Sequence, residues 1–221
     1  MKKNSNHTLL EEGEPAWEVA RLFPAQGHWR VGDYLNLDGN FLVEYSQGYI
    51  DVLPMPTTSH QRLLLYLHGL LMAFVVSRDL GEALFAPLKV RIKRREYREP
   101  DILFASKEHA HLKGERFWKG ADLVMEIVSP DAKSRRRDLK KKRQDYAKAG
   151  IPEYWIVDPR EETIAVLRLA GESYDVHGEF SRGEIATSHL LAGFTVDVAA
   201  AFDRQNPDGV KPTNGKRRRK A

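Results

Sequence analysis

Two hydrophobic rhythms alternate along this chain, and together they outline its elements. Phe41-Leu42-Val43-Glu44-Tyr45 and Tyr49-Ile50-Asp51-Val52-Leu53 are strand-like runs joined by Ser46-Gln47-Gly48, which predicts a hairpin. After Pro54-Met55-Pro56 the spacing changes. Leu63, Leu64, Leu67, Leu70, Leu71, Phe74 and Val75 recur at helical intervals, so a helix capped by Thr58 or Ser59 is expected, ending near Gly81. Alternation returns over Ala83 to Ile92, with Leu88, Val90 and Ile92 on one side and Lys89, Arg91 and Lys93 on the other. Two more strands follow, Pro100 to Phe104 and Asp122 to Pro130, separated by a polar loop around Lys107 to Lys119. A basic helix over about Ser134 to Ala149 ends at Gly150, a good C-cap, and Glu153 to Asp158 is an apolar strand stopped by Pro159. Thr163–Leu169, Ser173–His177 and Gly183–Ile185 predict short antiparallel strands at the end. This order predicts an α/β (α+β) protein, a mixed β-sheet flanked by helices with small antiparallel C-terminal strands. Residues 1–28 read as a peripheral lead-in with a short helix near Trp17 to Leu22, residues 29–204 as one domain, and residues 205–221 as a flexible basic tail.

The chemistry sits where the apolar pattern is interrupted. Asp101 and Glu126 each lie in a strand whose neighbours belong in a core, and a carboxylate there needs a cation or hydrogen-bond donors to neutralise it. If the strands pair, two hard oxygen ligands converge at one edge, an arrangement suited to Mg²⁺ or Mn²⁺ that retains several waters. The other reading is a pair of strand-end carboxylates bonded to backbone amides or to arginine. On the basic helix, Asp138, Lys142 and Tyr146 recur at i, i+4, i+8 and form one stripe. Lys142 can then support a nucleophile or a developing phosphorane charge, or form only a surface ion pair with Asp138. His60 can orient a water or phosphate, although its place at a helix start favours a structural or supporting role. Tyr146 can bond near Lys142, but packing against Tyr154 and Trp155 is the expected role.

Charge changes this picture more than composition does. A chain of 221 residues with 42% hydrophobic residues is ordinary for one globular domain. Cysteine is absent, which excludes disulfides, a thiolate nucleophile and Cys-ligated zinc, and suits a cytoplasmic location. No signal peptide or membrane span is expected, because the lead-in is acidic and the apolar run from Leu63 to Val76 is short and interrupted. The formal net charge is only +4, yet Lys133 to Lys148 carries nine Lys or Arg against two Asp, and Lys216 to Lys220 is a continuous run of five. Such clusters suit a polyanion such as DNA, or else a solvated helix face and tail. Lys89, Arg91, Lys93, Arg135, Arg136 and Arg137 are candidates for phosphate-backbone contacts. No P-loop, dinucleotide fingerprint, His-x-x-x-His pair or G-x-S-x-G elbow is present, and His109 and His111 read as a chance pair.

Several spaced segments resemble one family. Glu99-Pro100-Asp101-Ile102, Glu126-Ile127-Val128-Ser129-Pro130, Arg137-Asp138-Leu139 with Lys142 and Tyr146, and Ala149 to Pro159 are similar to the Uma2 family of restriction-endonuclease-like proteins. Gly48, Pro54-Met55-Pro56 and His60 match its N-terminal half, so the resemblance spans roughly residues 30 to 200. It implies a PD-(D/E)XK nuclease fold using a divalent metal. Asp101 matches the aspartate of the PD motif and Glu126 the acidic residue of (D/E)XK, while Val128 stands where the usual lysine would be. In the family pattern a lysine on the following helix takes that place, and Lys142 fits it. Glu44 matches an acidic position before the glycine turn, or is an exposed strand charge.

The implied activity is Mg²⁺- or Mn²⁺-dependent hydrolysis of DNA phosphodiester bonds, with Asp101 and Glu126 as metal ligands. A homodimer is expected if both strands are cut. The alternative is an inactive nucleic-acid- or partner-binding protein on the same scaffold, since one fold hosts many functions.

Overall fold

In a computed structural model the chain is described over residues 23–37, 42–129 and 135–205, with nothing said of the Asp138 side chain. The expected helix near Trp17, the strand start at Phe41, the helix start at Ser134 and the basic tail from Asn206 lie outside the described residues.

The elements run α1 (Val31–Leu35), β1 (Val43–Ser46), β2 (Tyr49–Val52), α2 (Thr58–Ser77), β3 (Gly81–Phe85), β4 (Val90–Lys93), β5 (Glu96–Arg98) and β6 (Ile102–Ser106). Then come β7 (Leu123–Ile127), a π-helical turn (Arg137–Lys141), α3 (Lys142–Lys148), β8 (Glu153–Asp158), β9 (Thr163–Ala170), β10 (Ser173–Ser181), β11 (Ile185–Thr187), β12 (Thr195–Asp197) and α4 (Val198–Gln205). The mixed α/β class is as expected. A six-stranded sheet in the order β10-β9-β8-β7-β6-β3 is antiparallel except for the β7–β8 pair, whose parallel crossover carries α3.

Strands β6, β7 and β8 are buried almost throughout because both faces of the sheet are covered. Ile102, Phe104, Leu123, Met125, Ile127, Trp155 and Val157 pack on the α2 side, where α4 and the β11–β12 ribbon complete the layer. Leu103, Val124, Tyr154 and Ile156 face α3 on the other side. Strict alternation therefore turns Glu126, between Met125 and Ile127, toward α3.

Four differences from the sequence reading matter. Ala83 to Ile92 is not one strand but β3 and β4, in two different sheets, since Pro87 has no N–H to donate to a ladder. The hairpin β1–β2 joins β5 and β4 in a separate four-stranded antiparallel sheet, β2-β1-β5-β4, that was not foreseen. The cap of α2 is Thr57, not Thr58 or Ser59, and its hydroxyl accepts from the His60 N–H at 3.2 Å. The C-terminal strands β9 and β10 extend the main sheet instead of standing apart, and β12 and α4 were missed. The end of the lead-in is pinned to the hairpin, with Gln26 exchanging two 3.0 Å bonds with Ile50. No helix among the described residues is long and apolar enough to cross a membrane.

Candidate active site

The pairing of β6 with β7 sets Ile102 opposite Met125 and Leu103 opposite Val124, so one further step brings Asp101 across from Glu126. Asp101 itself lies at a bend just before β6. Its Oδ2 accepts from the Ile127 backbone N–H at 2.7 Å, which anchors the carboxylate to the residue after Glu126. Its Oδ1 lies 3.2 Å from His60 Nε2. The Thr57 cap fixes the first turn of α2, and with it the position from which His60 reaches Asp101.

Glu126, only 3% exposed, meets α3. Its Oε1 accepts from the Tyr146 hydroxyl at 2.6 Å and lies 2.8 Å from Lys142 Nζ. Both donors come from one face of α3 because they are four residues apart, slightly more than one turn. Lys142 is itself buried and also lies 3.2 Å from Glu44 Oε1 on β1. That spacing gives Coulomb attraction and a poorly aligned contact with Lys142, so Glu44 Oε1 is a buried oxygen with no well-aligned donor. Burial would raise the Glu44 pKa, yet the charges of Lys142, Arg98 and Arg137 together hold it below the ordinary glutamate value. Burial, reinforced by the Glu126 charge, pushes the Tyr146 hydroxyl well above its usual pKa and keeps it a proton donor.

A second buried cation closes the cluster. Arg98 donates to Asp145 Oδ2 on α3 at 2.6 Å, and its Nε lies 3.7 Å from Glu44 Oε2. It also donates to the carbonyl of Tyr97 at 3.0 Å. Arg98 thus joins the small sheet to the helix that carries Lys142. Next to it, Glu99 is buried, accepts from the Val43 N–H at 3.1 Å and lies 4.0 Å from Lys89. Burial pushes the Glu99 carboxyl up to about 7, with Glu44 adding to the rise against Lys89 and the Val43 bond. Among the described residues Glu126, Glu44 and Asp145 are thus held by two buried cations, Lys142 and Arg98, with Lys89 beside Glu99 and His60 beside Asp101, so the site gathers five carboxyl groups in one place.

That gathering of carboxyl groups bears on whether a divalent ion suits these residues. Among the described residues no three His, Asp or Glu side chains form a ready cage for a metal. The donors are all hard carboxylate oxygens, one of them, Glu44 Oε1, buried without a well-aligned hydrogen bond. This fits Mg²⁺, which is commonly held by one or two carboxylates with retained water, better than a fully protein-ligated ion.

Of the residues singled out in the sequence, Glu44, Glu126, Lys142 and Tyr146 meet in one cluster, with Asp101 and His60 beside it. Glu44 is buried, not an exposed strand charge. Tyr146 does stack edge-on against Tyr154, 5.2 Å between centroids, but its hydroxyl is spent on Glu126. Trp155 packs on the opposite face of the sheet. The basic residues are largely committed elsewhere. Lys89 lies near Glu99, Lys93 pairs with Glu96 at 3.0 Å, Arg91 stands over the Phe117 ring at 5.8 Å, and Arg135 forks onto Asp158 at 2.8 and 2.6 Å. Arg136 is exposed, and Arg137 lends its charge to Glu44.

Arg98, Glu99 and Asp145 were not foreseen. Asp145 carried a readable signal, since it stands three residues after Lys142 on the same helix. Arg98 was hidden within a run of cations, and only its place in a three-residue strand turns it inward.

Similar proteins can now be set beside this geometry. No curated protein matches the chain. A solved structure from Anabaena variabilis ATCC 29413, described as "a putative nuclease belonging to DUF820", superposes with a TM-score of 0.66 at 19% identity, covering 79% of this chain and 97% of that one. At that identity the likeness establishes a shared fold. The Uma2 family model, described as "Putative restriction endonuclease", matches residues 31–199, a stretch that contains every residue of the carboxylate–lysine cluster. The chain belongs to the Uma2 family.

Proposed function

We propose that the protein is a divalent-metal-dependent endonuclease that hydrolyses DNA phosphodiester bonds. The observation that carries this reading is the buried Glu126–Lys142–Glu44 cluster set against Asp101 across the β6–β7 edge. Asp101 and Glu126 are the proposed ligands for Mg²⁺ or Mn²⁺. When bound, such an ion supplies a nucleophile from water at neutral pH and offsets charge on the phosphodiester. Lys142 lies 2.8 Å from Glu126 and brings a positive charge to the reacting phosphoryl group. Tyr146 orients the Glu126 carboxylate, and His60 with the Ile127 N–H orients Asp101. Family membership and the nuclease description of the Anabaena protein support the same assignment. Cleavage of both strands would use two copies of the chain, so a homodimer belongs to the proposal, as does a cytoplasmic location.

The decisive experiment incubates the protein with plasmid and with single-stranded DNA in Mg²⁺ or Mn²⁺. Asp101→Ala is expected to abolish metal-dependent cleavage with circular dichroism unchanged, and Glu126→Gln to abolish it at some cost in stability, because Glu126 pairs with the buried Lys142. Cleavage that persists in both variants would refute the site.

One observation favours a second reading, a nucleic-acid- or partner-binding protein without hydrolysis. Lys142 is held between two carboxylates, and the described residues hold no ready metal cage. Titration calorimetry with Mn²⁺ separates the two readings. DNA binding with no heat of metal binding in the wild type, and no cleavage, selects the binding protein.

A further inference from the structure

The outward face of α3 carries a feature that the site does not use. Lys142 points into the sheet, while Lys140, Arg143 and Lys148 open on the far side of the helix into a cleft of about 330 Å³. By helical geometry Lys148, six residues beyond Lys142, projects about 120° away from it around the axis. The opposite wall is Glu172 from the turn between β9 and β10, with Ser173 and Tyr174 at the start of β10. Lys140 and Lys148 form no ion pair among the described residues, unlike Lys89, Lys93 and Arg135. Arg143 donates from one guanidinium nitrogen to the Tyr174 carbonyl at 2.8 Å, which holds its head group at the edge of the cleft. Three cations thus face one carboxylate. The turn that presents Lys140 is π-helical, an irregularity often found at functional positions.

We propose that this cleft is a phosphate-backbone contact site for a nucleic-acid strand, distinct from the carboxylate–lysine cluster and on the other side of α3. The occupant is a phosphodiester backbone because fixed positive charge dominates the cleft and no exposed aromatic ring lines it for base stacking. The inference rests on the proposed nuclease reading for the identity of its ligand. It adds Lys140, Arg143 and Lys148 to the cations expected from sequence, of which Lys89, Lys93 and Arg135 lie beside carboxylates.

The test is fluorescence anisotropy with a labelled DNA duplex, in chelator so that nothing is cut, repeated over a series of salt concentrations. The double variant Lys140→Gln/Lys148→Gln is expected to bind about tenfold more weakly near 0.1 M salt and to lower the slope of log affinity against log salt by about 2. Glu172→Gln is expected to tighten binding. Lys89→Gln/Lys93→Gln should leave the slope nearly unchanged. Wild-type affinity and slope in the Lys140→Gln/Lys148→Gln variant would overturn the site while leaving the nuclease reading intact. Displacement of the duplex by millimolar inorganic phosphate, with no salt-slope change in the variant, would assign the cleft to a small anion and overturn the strand. Absence of any DNA binding by the wild type in chelator would overturn this site, while the nuclease reading is decided separately by the metal-dependent cleavage assay.

Discussion

Lys142 is the residue whose environment constrains the chemistry most. Two buried glutamates can lie this close only while the lysine remains between them, because its removal leaves like charges confined in a low-dielectric space. Lys142→Ala is therefore expected to lose about 3–5 kcal/mol of stability as well as activity, measured by urea unfolding. That is why Asp101→Ala, at a half-buried carboxylate, is the cleaner test of catalysis. Tyr146 is a finer probe. Tyr146→Phe removes a 2.6 Å hydrogen bond but leaves Lys142 on the same oxygen. It is expected to reduce cleavage about 10–100-fold, in the manner of residues that orient metal ligands, with a stability loss of only about 1–2 kcal/mol. Equal activity of the two proteins would show that Lys142 alone orients Glu126. The roles of Asp101 and Glu126 as interrupting carboxylates were legible in sequence because alternation exposes a charge placed in an apolar run. The role of Tyr146 was not, because a tyrosine satisfies a packing position and a hydrogen-bonding position equally well in one dimension.

At the scale of elements, the problem is to hold α3 in register over the sheet. Its C-terminus is fixed by Gly150, whose φ of 75° lets the chain turn back, with the Ile151 N–H reaching the Tyr146 carbonyl at 3.1 Å. Its approach from the N-terminal side is tied by the bidentate Arg135–Asp158 pair at the end of β8. Burial alone would raise the Asp158 carboxyl, but Arg135 and the N–H groups of Glu161 and Arg160 hold it below the ordinary aspartate value of 3.8. A carboxyl whose folded pKa is depressed stabilises the fold above its unfolded pKa and loses that contribution as pH falls through the folded value. The wild type should accordingly melt higher than Asp158→Asn at pH 7, and the gap should close progressively as pH falls below about 4. A gap that stays constant down to pH 2 would remove the pair from the stability of this element. The basic helix was evident from its cap and charge, whereas the partner of Arg135 was not, since 23 residues separate the two.

Across the whole molecule, two sheets and a C-terminal ribbon must be fastened to one another, and buried carboxylates do the fastening. Glu44 and Arg98 bind the small sheet to α3. On the far side Glu153, fully buried in β8, accepts from the Trp155 indole, the Ser188 hydroxyl and the backbone N–H groups of His189 and Leu190, all at 2.6–2.7 Å. Glu153→Ala would strand these donors in the interior, at about 1–3 kcal/mol for each that finds no new partner. A total loss of about 3–5 kcal/mol in a denaturant titration is expected; a change below 1 kcal/mol would mean that water replaces the carboxylate.

The linear pattern by itself determined the class of fold, the principal strands, the long helix and the carboxylate–lysine spacing. These follow from hydrophobic periodicity and from residues within a few positions of each other. Only the tertiary structure decided that Ala83 to Ile92 divides between two sheets, that Glu44 and Arg98 close over Lys142, and that the cations of Lys89 to Lys93 are mostly engaged. Those outcomes depend on which charges are driven together when apolar faces leave water, and separation along the chain carries no record of that.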